Sequence, residues 1–220
     1  MCILLAAATP LEIRTITAWL PTRVQPVITG VGLLSAAYHL QKAIAAYTPD
    51  LVIQAGIAGC FDPSRDLGEL VVVSEEVVAD LGVTENGHFK SLFDLALAAP
   101  DDPPYTRGRL PNPYLDRLNL LGWPSGSSVS VSEISTDTDR IAWYKQRYNP
   151  LLESMEGAAL HFVCLQEQVP FLQLRALSNY IGERDKSRWQ LGASLVALHE
   201  GLSLLLDALT AAGLPKAQAL

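Results

Sequence analysis

The chain has 220 residues, of which 49% are hydrophobic and 18% charged, and its formal net charge is −7. This length and composition argue against intrinsic disorder and predict a single domain, residues 1–220, with one hydrophobic core. The negative charge argues against a nucleic-acid backbone or an anionic membrane as the main partner, and it leaves small ligands open.

The first third of the chain alternates strand and helix signals. Residues 2–8 predict a buried strand, and Pro10 then opens a predicted helix over 11–20. The next predicted elements are a strand at 27–29, a helix at 33–47 and strands at 51–55 and 70–73. Glycine-rich turns follow two of these strands, Gly30-Val31-Gly32 and Gly56-Ile57-Ala58-Gly59. A dinucleotide motif would need a third glycine where Ser35 stands, so the first of them is interpreted as a tight strand-to-helix turn.

The rest of the chain begins with a proline-rich stretch, 82–126, which we interpret as a long loop, either functional or simply solvated. A strand is predicted at 128–134, a helix at 155–168 with Ser154 as N-cap, and a strand at 169–177. A last helix is predicted at 191–212, ended by Gly213 and Pro215. Buried strands alternating with helices predict an α/β fold, a three-layer αβα sandwich around a mostly parallel twisted central sheet.

The three cysteines, Cys2, Cys60 and Cys164, are odd in number and include no C-x-x-C pair. This argues against a disulfide framework or a zinc knuckle and predicts a reducing, cytoplasmic location. The apolar N-terminus lacks the basic residues of a secretory signal. No apolar segment is expected to reach the roughly 20 residues that a membrane span needs.

Two acidic residues fall at predicted helix starts, Glu12 and Glu156. The structural interpretation is that a carboxylate favours the positive end of a helix. The functional interpretation makes Glu12 a general base that activates water, because an ionised glutamate accepts a proton. Glu156 would then be a bidentate acceptor for two vicinal hydroxyl groups.

Two polar residues mark the strand predicted at 169–177 and its end. Arg175 lies within the apolar strand, and a buried arginine needs an anion or several acceptors. Glu12 is a candidate partner. Asn179 just beyond the strand, taken alone, is typical of a strand-end turn.

These short signals occur in an order that resembles the purine nucleosidase/phosphorylase superfamily along nearly the whole chain. Within it, the chain is similar to methylthioadenosine/adenosylhomocysteine nucleosidases and more closely to futalosine hydrolases. The shared landmarks are Ala8 to Glu12, Thr29 to Gly32, Gly56 to Gly59, Leu67 to Val72, Met155-Glu156, and Arg175 to Asn179, with 178–189 resembling futalosine hydrolases in particular.

The resemblance implies a role for each matched residue. Glu12 would polarise the attacking water, flanked by Arg175 and by the loop of Gly56, Ile57 and Ala58. Met155 and Glu156 would hold the ribose. The purine would face Ser178 and Asn179, with the backbone near Ile134 lining its pocket. No metal or organic cofactor is implied.

Three departures from the relatives refine the expected reaction. Ile57 replaces a serine that many relatives carry near the nucleophile. Asn179 replaces the aspartate of adenine-releasing nucleosidases, and its amide can donate to the O6 of hypoxanthine. Gln54 stands where related phosphorylases place a phosphate-gripping arginine, which favours water as the nucleophile. The resemblance therefore implies hydrolysis of futalosine to hypoxanthine and dehypoxanthinyl futalosine, on the route to menaquinone.

Several alternatives stay open on the sequence. The chain could be a methylthioadenosine/adenosylhomocysteine nucleosidase, an inosine-type phosphorylase, or a purine-binding protein without catalysis. The expected partner is a small nucleoside, with no nucleic acid or membrane, and the resemblance implies a homodimer or a higher homo-oligomer. The carboxylate tail of futalosine has three cationic candidates, Arg184, Lys186 and Arg188, for each of which simple solvation is the alternative.

Overall fold

The computed structural model describes residues 2–18 and 20–212 and shows a mixed β-sheet with helices against it. The strands within these residues are β1 Ile3–Ala7, β2 Val24–Ile28, β3 Leu51–Cys60, β4 Leu70–Val78, β5 Gly82–Glu85, β6 His88–Ser91, β7 Leu110–Pro111, β8 Ser125–Ser130, β9 Leu152–Ser154 and β10 Phe171–Tyr180. The α-helices are α1 Arg14–Thr17, α2 Leu33–Tyr47, α3 Leu115–Leu118, α4 Thr138–Tyr148, α5 Gly157–Gln166 and α6 Leu191–Ala211. The predicted α/β fold class is confirmed.

The main sheet combines parallel and antiparallel pairs. Strands β2, β1, β3 and β10 pair in parallel, in that order, and β4, β8 and β9 form a second parallel group. Antiparallel pairs join the two groups, β10 with β4 and β9 with the end of β3. Because β3 is long enough to pair with both β10 and β9, five of the strands close into a ring.

Helices cover both faces of β1, as the pleat of that strand requires. Ile3 and Leu5 point into an apolar cluster with the leucines of α6. Leu4 and Ala6 point to the opposite face, which α2 and α5 cover. Alternate residues of one strand therefore lie in two cores, which explains why residues 3–7 are all apolar.

The apolar last helix corrects one expectation. The helical segment Lys186–Ala211, which includes α6, has the length and mean hydropathy of a membrane span, contrary to the prediction that no segment reaches it. Its Leu198, Leu202 and Leu205 are buried in the core against β1, β3 and β10. Composition alone does not distinguish such a core helix from a span. The predicted stop signals Gly213 and Pro215 lie outside the described residues.

Several element boundaries also differ from the prediction. The helix expected over 11–20 is a 3₁₀ turn, Pro10–Glu12, followed by the four-residue α1. The segment 56–59, predicted as a turn, continues β3, because β9 and β10 supply hydrogen-bond partners for it. The stretch 82–126 is not a continuous loop, since it contains a hairpin, a short strand and helix α3. The strand expected at 128–134 ends at Ser130.

Outside the stretch 82–126, one further helix and one further strand were not predicted. Helix α4 begins after Asp137, whose side chain accepts a hydrogen bond from the backbone of Arg140, a capping signal that the sequence does contain. Strand β9 has only three residues, and its pairing with β3 is remote in sequence. The start of α5 differs as well: its N-cap is Glu156 rather than Ser154.

Candidate active site

A cavity of about 250 Å³ opens where β1, β3 and β10 end and where α5 begins. Eight of the residues predicted for the site line it, namely Glu12, Ile57, Ala58, Ile134, Met155, Glu156, Ser178 and Asn179. The other two predicted residues, Gly56 and Arg175, are buried and do not line the cavity. The fold therefore gathers residues from five separate parts of the chain.

Both interpretations of Glu12 fit the structure, because one carboxylate oxygen caps the helical turn and the other faces the strand that lines the cavity. Its Oε2 accepts hydrogen bonds from the backbone N of Thr9 at 2.8 Å and from Thr9 Oγ1 at 3.1 Å, which completes a capping box. Its Oε1 is 3.3 Å from the backbone N of Ile57, on the strand that lines the cavity. Glu12 is only 7% exposed, so its carboxylate is held in one position.

Arg175 lies behind this carboxylate and has a different partner from the expected one. Its Nη2 donates to Gln54 Oε1 at 2.8 Å, and no ion pair joins Arg175 to Glu12 within the described residues. The predicted pairing with Glu12 is therefore wrong. Gly56 separates the two side chains, since a Cβ placed there would overlap Arg175 Nη1 and lie 2.8 Å from Glu12 Oε1.

This crowding predicts a strong effect for Gly56→Ala. The added methyl group would push Arg175 and Glu12 away from the positions that the fold gives them. We expect a loss of about 1–3 kcal/mol in the free energy of unfolding and a severe loss of turnover. Thermal unfolding and purine release would measure the two effects. Gly192→Ala is the matched control, because a Cβ there meets nothing within 4 Å. Full activity and stability in Gly56→Ala would show that Arg175 and Glu12 do not need to approach so closely across residue 56.

Glu156 does not use its side chain to cap helix α5, although it occupies the N-cap position. Its Oε1 instead accepts from the backbone N of Gly32 at 2.9 Å. Gly32 has a φ of +88°, in the left-handed region that favours glycine, so the turn after β2 is shaped to reach this carboxylate. The other oxygen, Oε2, does not take part in this hydrogen bond. The side chain of Glu156 lines the cavity beside Met155.

A buried polar network fixes the first turn of α5. Ser130 Oγ accepts from the backbone N of Ala158 at 2.8 Å and donates to Glu76 Oε2 at 3.0 Å. Gln173 Nε2 donates to the other oxygen of Glu76 at 2.9 Å. Burial raises the pKa of Glu76, against the lowering effect of these hydrogen bonds. Anchoring this turn fixes the position of Glu156 just before it.

Asn179 and Ser178 lie at a β-bulge, where the register of β10 with β3 shifts between Leu177 and Asn179. A bulge re-aims side chains, and it here brings both polar residues to the cavity. Ser178 Oγ contacts Asn179 Oδ1 at 2.9 Å, and Asn179 Nδ2 donates to the carbonyl of Tyr180 at 3.2 Å. The amide keeps one further hydrogen and one further lone pair for a ligand.

Among the cavity-lining residues that were not predicted as site members, three carry a charge or a large aromatic ring that matters below: Glu153, Arg184 and Trp189. Arg184 was predicted only as one of three candidates for the carboxylate tail of futalosine, with Lys186 and Arg188. The structure separates the three: Arg188 pairs with Glu183 and Asp185, Arg184 lines the cavity, and Lys186 does not. Within residues 2–18 and 20–212, no group of three or more His, Cys, Asp and Glu side chains is placed to hold a metal ion.

Comparison with known proteins places this geometry among nucleoside-cleaving enzymes. The chain is 34% identical to a futalosine hydrolase from Thermus thermophilus over 179 residues, which cover 81% of this chain and 79% of the relative. It is 33% identical to a futalosine hydrolase from Streptomyces coelicolor over 159 residues, 71% of this chain but only 65% of that protein. A solved 5′-methylthioadenosine/S-adenosylhomocysteine nucleosidase from Colwellia psychrerythraea, in complex with adenine, superposes with a TM-score of 0.78 at 20% identity, covering 95% of this chain and 96% of that one.

The fold, the cavity and these relatives define an N-glycosyl hydrolase of the nucleosidase class. Residues 7–209 match the phosphorylase superfamily, and the chain belongs to that family. The resemblance to futalosine hydrolases predicted from the sequence is confirmed.

Proposed function

We propose that this protein hydrolyses the N-glycosidic bond of futalosine, releasing hypoxanthine and dehypoxanthinyl futalosine. The observation that carries this is one cavity with three polar groups suited to the three parts of the reaction: Glu12 for water, Glu156 for ribose and Asn179 for the base. The relatives at 33% and 34% identity are both futalosine hydrolases.

In the proposed mechanism, the bond to the base breaks through an oxocarbenium-like state, as in glycoside hydrolysis generally. Glu12 Oε1 accepts a proton from the water that attacks the anomeric carbon. Arg175 lies on the far side of Gly56 from Glu12. It helps to hold Glu12 in place and does not contact the substrate. Glu156 accepts from the 2′- and 3′-hydroxyls. Asn179 hydrogen-bonds the purine and stabilises negative charge that grows on it as it leaves. The released base takes up one proton, which balances the proton that Glu12 removes from water.

Water is favoured over phosphate by the position of Gln54. This residue stands where related phosphorylases place an arginine, and its carbonyl is engaged by Arg175. Gln54 and Arg175 are both buried behind the cavity, so a neutral amide stands there in place of a second guanidinium, which weakens any phosphate site. Product release should therefore not depend on phosphate.

The decisive experiment measures purine release from futalosine, inosine and methylthioadenosine, each with and without phosphate. Hydrolysis of futalosine without phosphate supports the proposal. A preference for methylthioadenosine would indicate the adenine-releasing nucleosidase, phosphate dependence would indicate a phosphorylase, and binding without release would indicate a purine-binding protein.

Arg184 is the proposed contact for the carboxylate on the 5′ tail of futalosine. It lines the cavity, its guanidinium carbon lies 5.6 Å from the ring centroid of Trp189, and it is in no ion pair within the described part of the chain. Stacking on Trp189 holds the side chain and leaves its hydrogen-bond donors free.

We expect Arg184→Gln to raise the KM for futalosine by about 5-fold, the scale of a solvent-exposed ion pair, and to leave inosine unchanged, because inosine lacks the tail. Steady-state kinetics with both substrates would measure this. Arg188→Gln, which changes a cation already paired with Glu183, is the control. An equal effect on both substrates would remove Arg184 from tail recognition.

The proposal also covers the domain organisation, the cellular location and the oligomeric state of the protein. The chain forms one domain, residues 1–220, with the architecture of a three-layer αβα sandwich, and works in the cytoplasm as a homodimer or larger homo-oligomer. The large exposed side chains of Leu34 and Tyr38 support self-association, since they extend from helix α2 close to Val31 at the cavity. Light scattering on the purified protein would test the oligomeric state.

A further inference from the structure

Glu153 is a buried acid that the mechanism above does not use. It is 5% exposed, lies on β9, and lines the cavity that holds Glu12 and Asn179. Its Oε1 accepts from the backbone N of Ser135 at 3.0 Å, whereas its Oε2 is buried without a hydrogen-bond partner within the described residues. A buried carboxyl oxygen without a partner is costly, so a group on a bound ligand is a reasonable partner to seek.

The sheet register places Glu153 opposite Asn179. Gly59 pairs with Asn179 of β10 on one side and with Glu153 of β9 on the other. Two strand spacings separate the outer residues by about 9.6 Å between backbones. Gly59 itself has no side chain, and the space above it holds the side chain of Ile181, whose Cδ1 would overlap a Cβ placed on Gly59. Ile181, Glu153 and Asn179 all line the cavity, so a flat base packed against Ile181 would have the amide at one edge and the acid at another.

Hypoxanthine and adenine differ in the hydrogen-bonding groups at positions 1 and 6 of the ring. In hypoxanthine, N1–H is a hydrogen-bond donor next to the acceptor O6. In adenine, N1 is an acceptor next to the 6-amino donor. A carboxylate oxygen can only accept, so it matches N1–H and opposes the N1 lone pair of adenine.

We propose that Glu153 is a specificity-determining residue that accepts the N1–H of a 6-oxopurine through Oε2, while Asn179 serves the O6 and N7 edge. This rests on the proposed function, because it assumes that hypoxanthine is the leaving base. Burial raises the pKa of Glu153, and the hydrogen bond from the backbone N of Ser135 opposes that rise. An N1–H donor on a bound base would favour the ionised, accepting form in the same way.

The variant Glu153→Gln tests this with little change of shape. The backbone N–H of Ser135 requires an acceptor, so the amide oxygen should take the place of Oε1. The amide NH₂ then faces the base, where it opposes N1–H of hypoxanthine and matches N1 of adenine. We expect kcat/KM for inosine to fall by about 5- to 150-fold, the scale of a mismatched buried polar pair, and the adenosine-to-inosine ratio to rise accordingly.

Two further variants separate recognition from folding. Glu153→Leu removes both polar functions and should lower inosine cleavage without improving adenosine. Glu133→Gln, on the preceding loop with its side chain 74% exposed, is the matched control and should leave the ratio unchanged. Thermal unfolding identifies any variant that fails to fold.

Calorimetric binding of hypoxanthine and adenine distinguishes this inference from the proposed function. If wild-type protein binds hypoxanthine in preference to adenine and Glu153→Gln reverses that order, the role of Glu153 stands even where futalosine is not cleaved. If wild-type cleaves futalosine and Glu153→Gln keeps its selectivity, Glu153 only anchors Ser135 and the inference is overturned while the function survives.

Discussion

Glu12→Gln should lower futalosine hydrolysis by about 10²- to 10⁴-fold, the usual contribution of a general base. The amide is almost the same shape, and its oxygen can still accept from Thr9 in place of Oε2. The NH₂ would then take the place of Oε1, and it cannot accept a proton from water. Substrate binding should survive, because Glu156 and Asn179 are untouched and line other parts of the cavity.

Single-turnover hypoxanthine release and calorimetric hypoxanthine binding would separate these two effects. Glu167→Gln is the matched control, since Glu167 is exposed and its side chain is hydrogen-bonded only to the side chain of Gln41 within the described residues. Unchanged turnover in Glu12→Gln would remove this carboxylate from the mechanism. Loss of hypoxanthine binding with loss of turnover would instead show that Glu12 shapes the site.

The elements predicted well are those that depend on local sequence. Helix α2 begins and ends at the predicted residues, 33 and 47, because a glycine turn precedes it and Thr48-Pro49 follows it. The glycine segment 56–59 was misinterpreted because its strand character depends on β9 and β10, which are more than 90 residues away in sequence. Local composition favours a turn there, and tertiary pairing overrides it.

In the candidate site, too, residues within short motifs could be predicted, whereas contacts between distant residues could not. Glu12, Glu156 and Asn179 could be placed through the resemblance, because each lies in a short motif. The partner of Arg175 could not, since Gln54 and Glu12 both lie near it and only the structure shows which one it contacts. Glu153 was visible in the sequence beside Met155 and Glu156, but its exposure to the cavity follows from the antiparallel pairing of β9.

Asn179→Asp should reverse the preference of the enzyme between purines. Asn179 Nδ2 is the donor expected to meet O6 of hypoxanthine, and an aspartate at this position has no donor when ionised. A mismatched buried polar pair costs about 1–3 kcal/mol, or about 5- to 150-fold in kcat/KM. A protonated aspartate can donate to N7 of adenine while its second oxygen accepts from the 6-amino group. We therefore expect inosine cleavage to fall and adenosine cleavage to rise.

The kcat/KM values for inosine and adenosine provide the measurement, and their ratio is more informative than either value because a general loss of folding lowers both. Asn86→Asp at the exposed tip of the β5–β6 hairpin introduces the same charge away from the cavity and should leave the ratio unchanged. Ser178 Oγ already donates to Asn179 Oδ1, so the new carboxylate keeps one of its hydrogen bonds and the backbone bulge has no reason to move. Equal inosine cleavage by wild-type and variant would mean that the amide does not contact the six-position of the base, and hypoxanthine selectivity would then have to arise from the other edge, at Glu153.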